Sequence, residues 1–132
     1  MPHKRQSIRE TWKLALEADT TNTQIEANRT YAVSKWPLIN IMTGADQAVI
    51  EDNAHESKPR ILDLILDLHV AGDDHDAQID DYVQIIEDII AANPSNALWS
   101  SIQFDAADEP ESVGGETPYT KCRVHVMVRY EV

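Results

Sequence analysis

One cysteine in 132 residues excludes an intramolecular disulfide and suits a reducing cytoplasm. Basic side chains are scarce, with 11 Lys and Arg against 23 Asp and Glu and a net charge of −12. A surface that grips duplex nucleic acid needs the opposite balance, because its affinity comes from neutralising phosphates. The acidity fits a wall past which nucleic acid slides without sticking, and it equally fits charge that only keeps the protein in solution. No apolar run nears the roughly 18 residues of a membrane span. The basic start Met1-Pro2-His3-Lys4-Arg5 has no apolar stretch behind it, so no signal peptide is expected. Also missing are a Gly-rich phosphate loop, Cys-x-x-Cys, His-x-x-x-His and Gly-x-Ser-x-Gly, which removes the usual nucleotide, redox, zinc and hydrolase signatures.

What is present is an ordinary globular composition, 42% apolar and 26% charged, over a length that fits one domain, residues 1–132. A chain of this size buries about 68% of its unfolded surface. Two stretches alternate with period two, as long half-buried strands do. In Arg60–Val70, Leu62, Leu64, Leu66, Leu68 and Val70 share one face, and Asp63, Ile65, Asp67 and His69 share the other. In Tyr119–Val132, Cys122, Val124, Val126, Val128 and Tyr130 form the apolar face, opposite Lys121, Arg123, His125, Met127 and Arg129. One strand is acidic on its outer face and the other basic. They can pair within one subunit or meet across a subunit boundary.

The remaining elements follow from local signals. Ser7-Ile8-Arg9-Glu10 is a capping box, and Ile8, Trp12, Ala15 and Leu16 form one helical stripe. The helix should fade at Asp19-Thr20-Thr21-Asn22, whose side chains compete for backbone hydrogen bonds. Arg29–Val33 and Pro37–Thr43 are expected strands, the second central because it is almost continuously apolar. Gly44–Pro59 is expected to be a loop with room for a short strand near Val49-Ile50. A second helix carries Ile79, Tyr82, Val83, Ile86, Ile89 and Ile90 on one stripe, and Pro94 ends it. Ser101–Asp105 is another strand. The long connection Ala106–Pro118 carries Asp108, Glu109, Glu111 and Glu116, far beyond the two to five residues of a tight hairpin. The expected fold is α+β, a mainly antiparallel sheet of four to five strands with two helices packed on one face.

Three constellations bear on chemistry. Asp73, Asp74 and Asp76 are hard oxygen ligands that could take Mg²⁺ or Ca²⁺, although they lack EF-hand spacing and serve as well to cap a helix. Asp63, Asp67, His69 and His125 share a sheet face and could do acid–base work or bind metal; Arg123 and Arg129 on that face would make them ordinary ion pairs. Trp36, beside Pro37 in a turn, is a candidate contact anchor or a cap on the core edge. Cys122, mid-strand on an apolar face, is expected to be a buried structural thiol.

In element order and length the chain resembles the tail terminator proteins of long-tailed bacteriophages, the minor tail protein U-like family. The matching stretches are Arg29-Thr30-Tyr31-Ala32-Val33, Pro37-Leu38-Ile39-Asn40-Ile41, His69-Val70-Ala71-Gly72, Asp80-Asp81-Tyr82-Val83 and Val126-Met127-Val128-Arg129-Tyr130-Glu131-Val132. The resemblance implies a virion structural protein rather than an enzyme, without catalytic residues or a required cofactor. It would form a six-membered ring from copies of itself on the last ring of tail-tube protein. That ring would join the neck or head connector and let DNA pass without specific binding, in a virion tail assembled in the host cytoplasm and away from any membrane. Closing a ring needs two different, complementary surface patches. Asp63 and Asp67 against Lys121, Arg123 and Arg129 are the candidates here, with Trp36 as an anchor. Asp108, Glu109 and Glu111 would meet a neighbouring ring or line the lumen, and Mg²⁺ could assist assembly. The alternatives are a neck or head-completion ring component, a small divalent-metal-dependent enzyme using Asp73–Asp76 or the Asp63/His125 face, and an acidic binding module.

Overall fold

A computed structural model describes residues 3–27, 37–49, 59–115 and 118–132. The chain runs α1 (Lys4–Asp19), β1 (Gln24–Glu26), β2 (Leu38–Ala48), β3 (Pro59–Val70), α2 (His75–Ala92), β4 (Ser101–Ala107), β5 (Glu111–Val113) and β6 (Tyr119–Glu131). The six strands form one mixed, mostly antiparallel sheet in the order β1-β2-β3-β6-β4, with β5 also on β6. Both helices pack against it, so the architecture is α+β as the hydrophobic periods predict. The β1–β2 pair is parallel and the other pairs are antiparallel. The expected strand Arg29–Val33 and the Glu51–Glu56 loop tip lie outside the described residues.

The two long alternating stretches pair with each other along their full length, from Pro59↔Glu131 to Val70↔Thr120. That register puts Leu62, Leu64, Leu66 and Leu68 beside Val128, Val126, Val124 and Cys122 on one face. All eight are buried together with Ile8, Trp12 and Leu16 of α1 and Ile79, Ile86 and Ile89 of α2. This face is the core, because period-two and period-3.6 apolar patterns can be buried together only when a sheet face meets a helix stripe. At about 1.5–3 kcal/mol per fully buried aliphatic side chain, it dominates the stability of the fold.

α1 begins three residues before the capping box. The cap is His3, whose Nδ1 accepts a hydrogen bond from the Arg5 amide at 3.1 Å. Ser7 lies inside the helix because its own amide already donates to the His3 carbonyl at 3.3 Å. The far end falls where expected, with Thr20 Oγ1 donating to the Leu16 carbonyl at 2.7 Å. α2 stops at Ala92, and the turn beyond it is fixed by side chains. Asn96 Oδ1 accepts from the Leu98 and Trp99 amides, and Trp99 Nε1 donates to the Asn93 carbonyl at 2.9 Å.

Two expected loops contain strand. β2 continues to Ala48 through a bulge between Thr43 and Asp46. Before the bulge, Ile39, Ile41 and Thr43 lie beside Leu68, Leu66 and Leu64 on the core face. The extra residue flips the parity, so Asp46 and not Ala45 comes beside Leu62. Gly44 sits at this bend, and a Cβ there would lie 2.9 Å from Ile65 Cδ1 and 3.2 Å from the Asp63 carbonyl oxygen. The second case is the Ala106–Pro118 connection, in which Glu111–Val113 returns to β6 as β5.

Candidate functional site

The sheet face turned away from the helices collects the charged residues of both long strands. The register sets Asp67 opposite Arg123 and His69 opposite Lys121 within one chain. Of the candidate ring-patch charges, Asp67 and Arg123 therefore meet inside the subunit. Of the two arrangements open to these strands, the twelve-pair antiparallel register realises pairing within one subunit. Arg123 Nε lies 3.8 Å from Asp67 Oδ1, and Lys121 Nζ reaches Glu111 of β5 at 3.7 Å. Arg129 sits on the same face, opposite Ile61 of β3 and Ser101 of β4. Trp36 lies outside the described residues.

Asp67 is the most enclosed of these charges, with only 7% of its surface exposed. Its Oδ2 is 3.1 Å from His69 Nε2, and the His69 ring stacks on Tyr119 with centroids 5.3 Å apart. Asn40 of β2 stands opposite Asp67 on the other side and is also buried. The Asp67 Oδ1 and Asn40 Oδ1 oxygens have no hydrogen-bond donor. Buried acceptors of this kind call for a donor or cation, and the Arg123 guanidinium is the group placed to answer Asp67.

A second cluster centres on His125. Its Nδ1 is 3.1 Å from both oxygens of Asp63, and its Nε2 is 3.2 Å from Asp108 Oδ2. Asp108 lies just beyond β4, where a bulge between Phe104 and Ala106 turns the chain toward β6. The Asp108 amide then donates to the Arg123 carbonyl at 2.8 Å, and the Cys122 thiol donates to the Asp108 carbonyl at 3.3 Å. Burial raises the Cys122 pKa, and the charges of Asp108 and Asp67 add to that, so this thiol is a structural group and a poor nucleophile. Beside the cluster is a shallow cleft of about 200 Å³ lined by Gln47, Ile61, Asp63, Asp105 and Met127.

Both His125 nitrogens are taken up by carboxylates on opposite sides of the ring, so neither is left for a shared ligand. Among the described residues no three His, Cys, Asp or Glu side chains gather where they could hold a metal ion. The Asp73–Asp76 run is likewise dispersed. Asp74 stands at the N-cap of α2 without a side-chain cap bond; its Oδ1 accepts from Gln78 Nε2 at 2.7 Å. Asp76 pairs with His75 at 3.0 Å and is mostly exposed, and Asp73 lines an open cleft between α2 and β5.

The sequence reading missed one buried polar cluster, on the core face. The β2 bulge delivers Asp46 there, where its carboxylate accepts from Arg60 Nε at 3.0 Å and Nη2 at 2.8 Å. The Tyr130 hydroxyl donates to the same carboxylate at 2.6 Å, with Arg5 Nε 3.6 Å away. Gly44, just beyond the largely apolar run Leu38–Met42, was the signal, since an isolated strand glycine often marks a bulge. The expected contact loop is now an arm, residues 105–113, laid along β6. Asp105, Asp108, Glu109 and Glu111 are all exposed on it. No protein-family model and no curated protein matches the chain.

Proposed function

We propose that the chain is a structural protein of a phage tail, a terminator-like subunit that closes into a ring, ends the tail tube and joins it to the neck. The role in the tail rests on the resemblance of its element order and segments. The observation that supports ring closure is the separation of charge across the sheet. α1 packs on β1 and β2 at one margin, and the acidic arm follows β4 at the other. Residues 4–13 of α1 carry Lys4, Arg5, Arg9 and Lys13 against the single acid Glu10, before Glu17 and Asp19 near its end. Arg5 and Arg9 are anchored within the chain, on Asp46 and on the Ala27 carbonyl, which leaves the half-buried Lys4 and Lys13 as the cations offered to a neighbour. Unlike patches on opposite sides of a subunit are what a head-to-tail ring requires.

The arm is suited to side-chain contacts and poorly suited to strand addition. Its bulge, its four acids and Pro110 are the devices that blunt a sheet edge. The ring contact therefore moves from the sheet face to the two margins. Exposed charge pairs contribute only about 0.2–1 kcal/mol each, but the contact recurs at every interface of a ring. The test is a charge swap. Lys4→Glu with Lys13→Glu should weaken assembly, as should Asp108→Lys with Glu109→Lys, and a single chain carrying all four should recover it. Loss in both halves without recovery in the combination would refute the margin contact. Normal assembly in both halves would refute it too. Capture of the protein at the ends of polymerised tail tubes separates a terminator from a neck component.

A further inference from the structure

His125 sits between two groups that can only accept hydrogen bonds. Nδ1 faces Asp63 of β3 at 3.1 Å, and Nε2 faces Asp108 of the arm at 3.2 Å. A neutral imidazole has one N–H, so one of those contacts would set a lone pair against a carboxylate. Both are hydrogen bonds only when the ring carries two protons. We propose that His125 is a proton-operated clasp: the imidazolium fastens the arm to the sheet, and loss of its proton releases the Asp108 carboxylate.

Asp108 is the side that lets go. Asp63 belongs to a β3 strand paired on both edges, and its side chain is 33% exposed. Asp108 lies between β4 and β5, outside the ladder, and is 53% exposed. The other charged groups around the ring are Asp67 and Asp105, with Arg123 two residues away on β6. Asp67 is engaged by His69 and Arg123, so Arg123 does not neutralise the clasp. Asp105 shares the cleft with Asp63. The nearest charges, Asp63 and Asp108, therefore favour the proton.

The titration follows the same direction. Burial alone pulls the His125 pKa down, but hydrogen bonds to Asp108 and Asp63, and the charges of both, raise it above its ordinary 6.5. A group whose pKa is raised by folding contributes fully below its unfolded pKa and loses that contribution as pH climbs through the folded one. The clasp is closed below pH 6.5 and opens above the raised value. Opening loosens residues 105–109 and stays local, because Glu111 beyond them remains on Lys121. It also leaves the Asp108 carboxylate without its counter-ion, so the negative charge of the arm is no longer compensated there. An effect on ring contacts rests on the proposed function, whereas the clasp itself does not.

The test is a histidine-ring NMR titration of the full chain, with His125 assigned by comparison with His125→Gln, followed by amide exchange of residues 105–109 across the transition. The midpoint should lie above 6.5 and move down in Asp108→Asn. Exchange at 105–109, corrected for its intrinsic pH dependence, should step upward through that midpoint in the wild type and show no step in the variant. Asp63→Asn should lower the midpoint as well, which guards against a single variant that folds poorly. A midpoint at or below 6.5, a midpoint unmoved by Asp108→Asn, or exchange without a step would each overturn the clasp. None of these readouts depends on whether the protein forms rings.

Discussion

Replacing Asp46 with alanine removes the acceptor shared by three donors in the core-side polar cluster. Arg60 loses two hydrogen bonds, at 3.0 and 2.8 Å, and the Tyr130 hydroxyl loses one at 2.6 Å. Tyr130 is fully buried and cannot turn to water, so its hydroxyl is left unpaired at about 1–3 kcal/mol. Breaking a buried ion pair by removing one partner costs about 3–5 kcal/mol. The Arg60 side chain is 28% exposed and recovers part of its hydration, so Asp46→Ala is expected to cost about 2–4 kcal/mol in total. For a domain whose whole stability is about 5–15 kcal/mol, that is a large fraction. Tyr130→Phe removes one donor while Asp46 keeps Arg60, and should cost about 1.5–3 kcal/mol. Because both substitutions delete the same bond, the double variant should be less destabilised than the sum of the singles. Equilibrium urea unfolding of all four proteins measures this at unchanged slope. Additive effects, or an Asp46→Ala cost below about 0.5 kcal/mol, would refute the cluster and with it the bulge that builds it.

Further expectations concern the bulge, the tyrosine and the paired sheet face. Gly44→Ala places a methyl 2.9 Å from Ile65 Cδ1 and 3.2 Å from the Asp63 carbonyl oxygen; the isoleucine tip can move but the backbone cannot, and thermal unfolding should show a loss of about 1–3 kcal/mol. Burial, the hydrogen bond to Asp46 and its charge push the Tyr130 pKa up to about 12. Its neutral form is the folded one, so the stabilisation is intact below pH 10 and lost between about 10 and 12; ultraviolet titration should find this tyrosine the last to ionise, and Tyr130→Phe should remove that part of the alkaline instability. Arg123→Glu sets a second acid opposite the buried Asp67 and should cost the dilute, unassembled subunit about 1–2 kcal/mol in urea, whereas no loss would return Arg123 to the list of free contact residues.

The long strands and both helix stripes were legible because each is a clean period. Leu62 to Val70 alternates with Ile65 as its one apolar residue on the outer face, and Ile79 to Ile90 keeps to one helical face. What was not legible came from residues whose role depends on distant partners. Ser7 has the right neighbours for a cap, but His3 already holds its amide. Asp46 looks like a loop acid until the bulge turns it inward, and β1 is only three residues held by parallel pairing to β2. The same limit applies to the candidate site. Opposite charges on Asp67 and Arg123 were visible in sequence, but whether they meet within or between subunits depends on strand pairing that alternation alone does not determine. His125 could be picked out as an ionisable group beside Asp63; its second partner, Asp108, comes from a connection whose path no local pattern dictates.

Ring closure is tested most directly by mass in solution, measured by light scattering across a concentration series with and without Mg²⁺. A discrete six-subunit species that gains population with concentration, and is lost when Lys4 and Lys13 are both reversed to glutamate, is the expected result. A monomer at every concentration, or open-ended growth that never closes, would contradict it.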